Sequence, residues 1–167
     1  MPSLGTLSIF RSDPHVSRKV VRMNETTKFL EAFSPQKGLD PLMEHLDILG
    51  APIINGEWCE IQLRLKEFHL NGGGTAHGGL FMTMLDVAMA CSTWIDKSRT
   101  CVTVEMKANF LRPGGVAGQL IIARGRKRSG GNSLAFCDGE VLSQAGELLA
   151  TGSGTFKYLN RDYPNRA

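Results

Sequence analysis

The stretch that most restricts the fold of this 167-residue chain is the apolar run from Gly78 to Ile95. It is nearly long enough to cross a membrane, but it opens with two glycines and contains hydroxyl residues and one charged side chain, Asp86. We therefore predict a long helix in the core of a soluble protein, apolar nearly all round and buried on most sides. A sheet covers one side of such a helix, so other helices or a second subunit must cover the rest.

The segments around this helix indicate an antiparallel sheet. Five runs alternate between apolar and polar residues with the period of a half-buried strand, and short turns join the last four. In the second run, the apolar residues from Val102 to Phe110 at every other position are expected to share the inner face. Strands in succession with helices on one face predict an α+β fold with a five-stranded antiparallel sheet. The predicted strands are 59–66, 101–113, 118–128, 133–142 and 148–159.

The chain before the first strand divides into an arm and the start of the domain. Residues 1–35 form a basic arm with a short predicted helix over 25–33, and the domain is predicted to span residues 36–167. A second helix should begin at Pro41, present Leu42, Leu46 and Leu49 on one face, and end at Gly50. Because the arm lacks the apolar core of a secretory signal, we expect a cytoplasmic protein, with the mitochondrial matrix as the alternative.

Composition argues against several classes of partner and cofactor. The net charge of +3 suits an anionic small molecule without requiring nucleic acid, and we expect no nucleic-acid or membrane partner. The four cysteines have no CxxC spacing and are predicted to be buried free thiols. The four histidines form no metal-binding motif, so we predict neither a metal nor a cofactor.

The chemistry suggested by the long helix centres on Asp86 and the helix start. A buried carboxylate costs several kcal/mol, roughly, unless it is hydrogen-bonded or protonated. Such a group can act as a base or nucleophile, although it can equally cap a loop or face a cavity. The sequence His77-Gly78-Gly79 offers backbone N–H groups at a helix N-terminus, where an oxyanion could bind. The alternative is that His77 and Asn71 are ordinary turn residues.

The spacing of these groups points to more than one subunit. Asp86 lies nine residues after His77, which is half a turn beyond two full helical turns. The carboxylate and the helix-start amides therefore lie on opposite sides of the helix. A symmetric dimer would bring the amides of one subunit to the carboxylate of the other.

The spacing of Asn71, the His77-Gly78-Gly79 triplet and Asp86 also resembles a known family. Together with the later TVEMKANFLRPG strand, it is similar to the PaaI-like hotdog-fold acyl-CoA thioesterases, over residues 42–158. The resemblance implies a hotdog fold, in which an antiparallel sheet wraps around a long central helix. It also implies a homodimer that assembles into a homotetramer.

The same resemblance implies a role for each residue of the motif. The Gly78 amide would polarise the thioester carbonyl, and Asp86 from the partner subunit would act as general base or nucleophile. Asn71 would orient water or the carbonyl, His77 would support the site, and Thr103 would place a hydroxyl near that water. The implied reaction is hydrolysis of an acyl-CoA thioester to a carboxylic acid and free CoA.

The basic strand segment RGRKR is a candidate site for the phosphates of CoA. Its period places Arg124, Arg126 and Arg128 on one face. Such a face is usually solvated, but arginine forks also match phosphate geometry. Arg112 is a further candidate, and the Gly79 amide is expected to contact the substrate.

Two other functions fit the same sequence. A hotdog protein without catalytic activity would bind acyl-CoA as a sensor, although the intact Asp86 and His77-Gly78-Gly79 argue against this. A 3-hydroxyacyl-thioester dehydratase would normally use a histidine base and a differently placed acid. Released thiol identifies the thioesterase, an enoyl product identifies the dehydratase, and neither appears with a sensor.

Overall fold

The computed structural model describes residues 40–48, 52–97 and 99–160. The arm, the helix predicted over 25–33, and the end predicted for the next helix at Leu49 and Gly50 lie outside the described residues. A single 3-10 turn, Glu67–His69, precedes the long helix. The helices and strands are α1 Pro41–His45, β1 Ile53–Asn55, β2 Trp58–Arg64, α2 Gly78–Lys97, β3 Cys101–Phe110, β4 Leu120–Gly130, β5 Leu134–Ser143 and β6 Leu148–Tyr158.

The strands form one antiparallel sheet in the order β1-β2-β4-β5-β6-β3, so the predicted α+β fold is confirmed. The sheet has six strands in the described part of the chain, and the prediction of five was wrong. The extra strand β1 has three residues and forms a hairpin with β2 around Gly56, whose φ is 64°. Three residues are too few to produce a detectable alternation. The strand β3 lies at the far edge, where among the described strands it pairs with β6 alone.

The long helix α2 lies across one face of this sheet. Its buried residues recur at helical spacing and pack with the inward side chains of β2, β4, β5 and β6. The opposite stripe of α2 is only partly buried in the single chain, and this is the side whose cover the sequence analysis assigned to other helices or a second subunit. The buried set comprises Leu80, Phe81, Met84, Leu85, Ala88, Met89, Cys91, Ser92 and Thr93, and the partly exposed stripe comprises Met82, Thr83, Asp86, Val87, Ala90 and Trp94.

A row of glycines beneath α2 sets how closely the helix approaches the sheet. Gly125, Gly139 and Gly152 are direct cross-strand neighbours on β4, β5 and β6. A Cβ added at Gly125 would lie 2.4 Å from the backbone C and O of Ala88, and one at Gly139 would lie 2.8 Å from Leu85 Cδ2. At these positions the helix therefore occupies the space that the side chain of any residue larger than glycine would need.

The first described helix is shorter than predicted. Asp40 caps α1 by accepting a hydrogen bond from the Met43 N–H at 3.1 Å, and Pro41 occupies the first turn as expected. The helix ends after His45, and Asp47 then adopts a φ of 54°. On the predicted apolar face, Leu46 packs against the core, whereas Leu42 is 55% exposed.

The glycine row predicts a large effect of a single methyl group. Gly125→Ala should lower the free energy of unfolding by about 3 kcal/mol or more, because the new Cβ overlaps helix backbone that cannot rotate away. Urea denaturation of this variant and of Gly131→Ala measures the effect. Gly131 has nothing within 4 Å of its Cβ position, so that control should stay close to wild type. Equal stability of the two variants would contradict the close packing.

Candidate active site

The carboxylate of Asp86 is held by a side chain from the edge strand. Thr103 on β3 donates a hydrogen bond from Oγ1 to Asp86 Oδ1 at 2.6 Å. The structure thus brings together two of the predicted site residues, one on the helix α2 and one on the edge strand β3. Asp86, whose burial was expected, is only partly buried in the single chain, because it lies on the partly exposed stripe of α2. Asp86 Oδ1 is engaged by Thr103, and among the described residues no hydrogen-bond donor is found for Oδ2.

A β-bulge in β3 directs Thr103 toward the helix. Thr103 pairs with Phe156, and Glu105 pairs with the adjacent Thr155, so Val104 is an extra residue between them. An extra residue reverses which face the preceding side chains occupy. The prediction that Val102 and Val104 belong to the inner face was therefore wrong, and both are exposed.

The start of α2 leaves one backbone donor available. His77 precedes the helix, and its Nδ1 accepts a hydrogen bond from the Gly79 N–H at 2.9 Å. Because an accepting Nδ1 carries no proton, the neutral ring carries its proton on Nε2. Among the described residues, no acceptor is found for the Gly78 N–H. The Gly78 amide is thus the donor that a bound oxyanion could use, at the positive end of the helix dipole.

The side chain of Asn71 shapes the loop that leads into the helix. Its Oδ1 accepts from the Gly73 N–H at 2.8 Å and from the Thr75 N–H at 3.4 Å, and its Nδ2 donates to Thr75 Oγ1 at 3.2 Å. The Ala76 N–H in turn donates to the Gly115 carbonyl at 2.9 Å, which ties the loop to the segment after β3. In the single chain Asn71 therefore acts on the loop backbone.

A second histidine, which the sequence did not single out, anchors the same loop. His69 is buried, its Nδ1 accepts from the Lys66 N–H at 2.9 Å, and its Nε2 lies 2.8 Å from the Leu46 carbonyl. The His69 carbonyl accepts from the His77 N–H at 2.9 Å. His69 therefore links α1, the 3-10 turn and the start of α2. An isolated histidine in a short turn gives no signal of such a role in the sequence.

The two parts of the candidate site are far apart within one chain. Gly78 and Asp86 are eight residues apart on a continuous helix, which is about 12 Å along its axis. Donors to a developing oxyanion act at about 3 Å, so one small carbonyl group cannot contact both groups of the same chain. Each chain instead presents an amide part at the start of α2 and a carboxylate part near its middle.

The predicted phosphate-binding arginines lie on the sheet face that points away from α2. Arg124 Nη2 is 2.6 Å from Glu140 Oε2, and Arg126 lies within 4 Å of both Glu57 and Asp138. Both guanidinium groups also stack on the ring of Trp58, at 4.5 and 4.8 Å from its centre. These two arginines are therefore engaged by carboxylates and an aromatic ring in the single chain.

The other two candidates for phosphate binding, Arg128 and Arg112, differ in the contacts that their guanidinium groups make. Arg128 is 65% exposed and lies 3.5 Å from Asp138 Oδ1. Arg112 Nε is 2.8 Å from Glu147 Oε1, and its Nη1 donates to the Leu148 carbonyl at 2.8 Å. The structure brings neither of them into contact with Asp86 or Gly78.

The cysteines offer no reactive thiolate to this site. All four are free, as predicted, and three of them are buried, whereas Cys101 is partly exposed. Burial raises the pKa of the Cys91 thiol well above its usual range and raises the pKa of Cys137 to about 11. These thiols are therefore protonated at neutral pH and poor nucleophiles. Within the described residues, no group of three His, Cys, Asp or Glu side chains is arranged to hold a metal ion.

Comparisons with known proteins identify what this arrangement resembles. The model of the Thioesterase superfamily matches residues 73–150, which include Gly78, Asp86 and Thr103. Human acyl-coenzyme A thioesterase 13 is 30% identical over 102 residues, covering 58% of this chain and 69% of that protein.

Solved structures give the same result for the fold. The Escherichia coli PaaI protein from the phenylacetic acid degradation operon superposes with a TM-score of 0.72 at 22% identity, covering 83% of this chain and 96% of that one. A Streptococcus mutans protein bound to acetyl CoA gives a TM-score of 0.58 at 23% identity, covering 64% and 84%. The predicted hotdog fold is confirmed.

Proposed function

Since this chain belongs to the thioesterase superfamily and is a thioester hydrolase, we propose that its substrates are acyl-CoA thioesters. The products are a carboxylic acid and free CoA. One observation carries the proposal: the chain combines a helix N-terminal amide, for which no acceptor is found among the described residues, with a carboxylate oriented by a threonine hydroxyl. These are the oxyanion donor and the base that thioester hydrolysis requires.

In the proposed reaction the thioester carbonyl oxygen accepts a hydrogen bond from the Gly78 N–H. The helix dipole adds to the stabilisation of the negative charge that develops there. Asp86 removes a proton from a water molecule as that water attacks the carbonyl carbon. The tetrahedral intermediate then breaks its C–S bond, and the CoA sulfur leaves with the proton that Asp86 had taken up.

The hydrogen bond from Thr103 supports general-base action by Asp86. Because Thr103 Oγ1 donates to Oδ1, the carboxylate is fixed in orientation and Oδ2 remains available to a water. Direct attack by Asp86 on the thioester, through a mixed anhydride, is the other route by which this carboxylate could act. In either route His77 occupies the Gly79 amide and directs the substrate to Gly78.

We further propose that the active site is completed by a second copy of the chain. Gly78 of one subunit would act with Asp86 of the partner subunit, since the two groups of one chain are about 12 Å apart along the helix axis. The outer edge of β3 is free in the described part of the chain, and two such strands can pair antiparallel about a two-fold axis. Val104, 57% exposed at the bulge, would be covered by that pairing. Assembly of two dimers into a tetramer stays a prediction, as does the cytoplasmic location.

Substitution of Asp86 and Thr103 tests the catalytic assignment. Asp86→Asn keeps the size of the side chain but removes the base, so thiol release from acyl-CoA should fall by about 10²-fold or more. Thr103→Val removes only the orienting hydroxyl and should lower kcat by roughly tenfold. A panel of acyl-CoAs from acetyl to palmitoyl, with phenylacetyl and benzoyl, provides the substrates.

The outer face of the sheet provides a matched control for this experiment. Thr155 donates a hydrogen bond to Glu105 at 2.5 Å, which is a second threonine–carboxylate pair far from α2. Thr155→Val should therefore leave kcat unchanged. Full activity of Asp86→Asn would refute the assignment, and absence of thiol release by the wild type, with acyl-CoA binding intact, would favour the sensor.

A pair of substitutions at Gly78 isolates the amide donor. Alanine and proline both add a Cβ at the same point, but only proline removes the N–H, and proline is well tolerated in a first helical turn. Gly78→Pro should lose about 10²-fold in kcat, the effect of one oxyanion donor, whereas Gly78→Ala should retain most activity.

Mixing two inactive variants tests the shared site directly. After refolding together, Asp86→Asn and Gly78→Pro subunits form mixed dimers in which one of the two sites has both groups intact. At equal concentrations the mixture should recover about a quarter of wild-type activity. If the mixture stays inactive although mixed dimers have formed, each chain must carry a complete site.

Arg128 is the proposed contact to the phosphates of CoA, because it is the most exposed of the three arginines on β4. Arg128→Gln should raise KM severalfold for an acyl-CoA but not for the matching acyl-pantetheine, which lacks the nucleotide phosphates. Arg124→Gln and Arg126→Gln test the other two assignments in the same assay. An unchanged KM for acyl-CoA in any one variant would remove that arginine from the binding site.

A further inference from the structure

An aromatic side chain outside the proposed chemistry lies directly against the oxyanion donor. Phe110 is the last residue of β3 and is 54% exposed. A Cβ built at Gly78 would be 3.3 Å from Phe110 Cζ and 3.4 Å from Cε1. The tip of the ring is therefore in contact with Gly78, and the absence of a side chain there allows it to come so close.

This contact determines what a ligand on the Gly78 amide must touch. The neighbouring Gly79 N–H is already taken by His77, so the carbonyl oxygen has one amide to bind. The carbons attached to that carbonyl then lie within reach of the Phe110 ring. Leu111 and Val116, on the segment that follows β3, are likewise about half exposed apolar residues.

The nearest cation along the chain is turned away from this position. Arg112 is bound to the carboxylate of Glu147 and the carbonyl of Leu148 at the turn between β5 and β6. A carboxylated acyl group placed against Phe110 would therefore lose water without gaining an ion pair from Arg112. An apolar acyl group would gain contact with the ring.

We infer that Phe110 determines which acyl groups the protein accepts. This inference rests on the proposed function and assigns the substrate class. The ring packs on the acyl carbons next to the carbonyl that Gly78 holds. Uncharged apolar acyl groups of several carbons, such as hexanoyl and benzoyl, are accepted in preference to acetyl and to carboxylated groups such as succinyl.

The test compares kcat/KM for acetyl-, succinyl-, hexanoyl- and benzoyl-CoA in four proteins: wild type, Phe110→Ala, Phe110→Leu and Phe136→Ala. Phe136 is 39% exposed on the outer face of β5 and serves as the matched control. Phe110→Ala should reduce the preference for hexanoyl over acetyl by about tenfold, while Phe136→Ala leaves it unchanged. Phe110→Leu, which stays apolar but has no ring, should retain the hexanoyl preference and lose part of the benzoyl preference.

Unchanged substrate ratios in both Phe110 variants would overturn the inference. If Phe110→Ala does not fold, the benzoyl-to-hexanoyl ratio of Phe110→Leu decides the question. Absence of turnover by the wild type would refute the proposed function, but the role of Phe110 could still be tested by binding. In that case calorimetric affinities for the S-hexyl and S-ethyl thioethers of CoA replace kcat/KM. Binding of the two thioethers with equal affinity, or of neither, would overturn the assignment of Phe110 as well.

Discussion

The close packing of the long helix on the glycine row is the contact on which the rest of the structure depends. Gly125, Gly139 and Gly152 present only backbone to α2, so the helix lies nearer to the sheet than ordinary side chains allow. That position fixes the depth of the buried stripe around Leu85 and Met89. It also fixes the distance of Asp86 from the sheet, and therefore its position beside the edge strand β3.

The candidate site also depends on the bulge in β3. The bulge directs a side chain of this edge strand toward the carboxylate of Asp86. Without the extra residue Val104, the side chain of Thr103 would point to the outer face, away from Asp86. With it, Thr103 faces the helix in the first half of the strand and Phe110 faces the helix at its end. The strand β3 thereby places one side chain beside the carboxylate of Asp86 and another beside the amide of Gly78, although these two groups are separated along α2.

In the proposed dimer, this separation would account for the partly exposed stripe of α2 and for the edge of β3 that is free among the described strands. A helix that was fully enclosed by its own sheet would leave no room for a substrate. The partly exposed stripe from Met82 to Trp94 and the unpaired edge are both surfaces that a second copy would cover. In the proposed dimer, the arrangement of the proposed catalytic groups and the arrangement of the two subunits would therefore have the same physical origin.

Much of the fold was predictable because alternation is a local property of the sequence. The strands after α2 begin and end close to the predicted positions, and β2 buries Cys59, Ile61 and Leu63 as expected. Two of the failures are also local in origin. The strand β1 is too short to alternate, and α1 ends early. The bulge depends on how β3 pairs with β6, which no pattern within β3 records.

The sequence by itself determined the long apolar helix, the alternating strands, and the spacing that links Asn71, His77, Gly78 and Asp86, because each depends on residues close together in the chain. Only the tertiary structure decided that Thr103 donates to Asp86 and that Phe110 lies against Gly78. It also decided that Arg124 is paired with Glu140. These contacts join residues 16 or more positions apart, and they depend on strand register and on the depth of the helix. Both are set by the packing of the whole sheet.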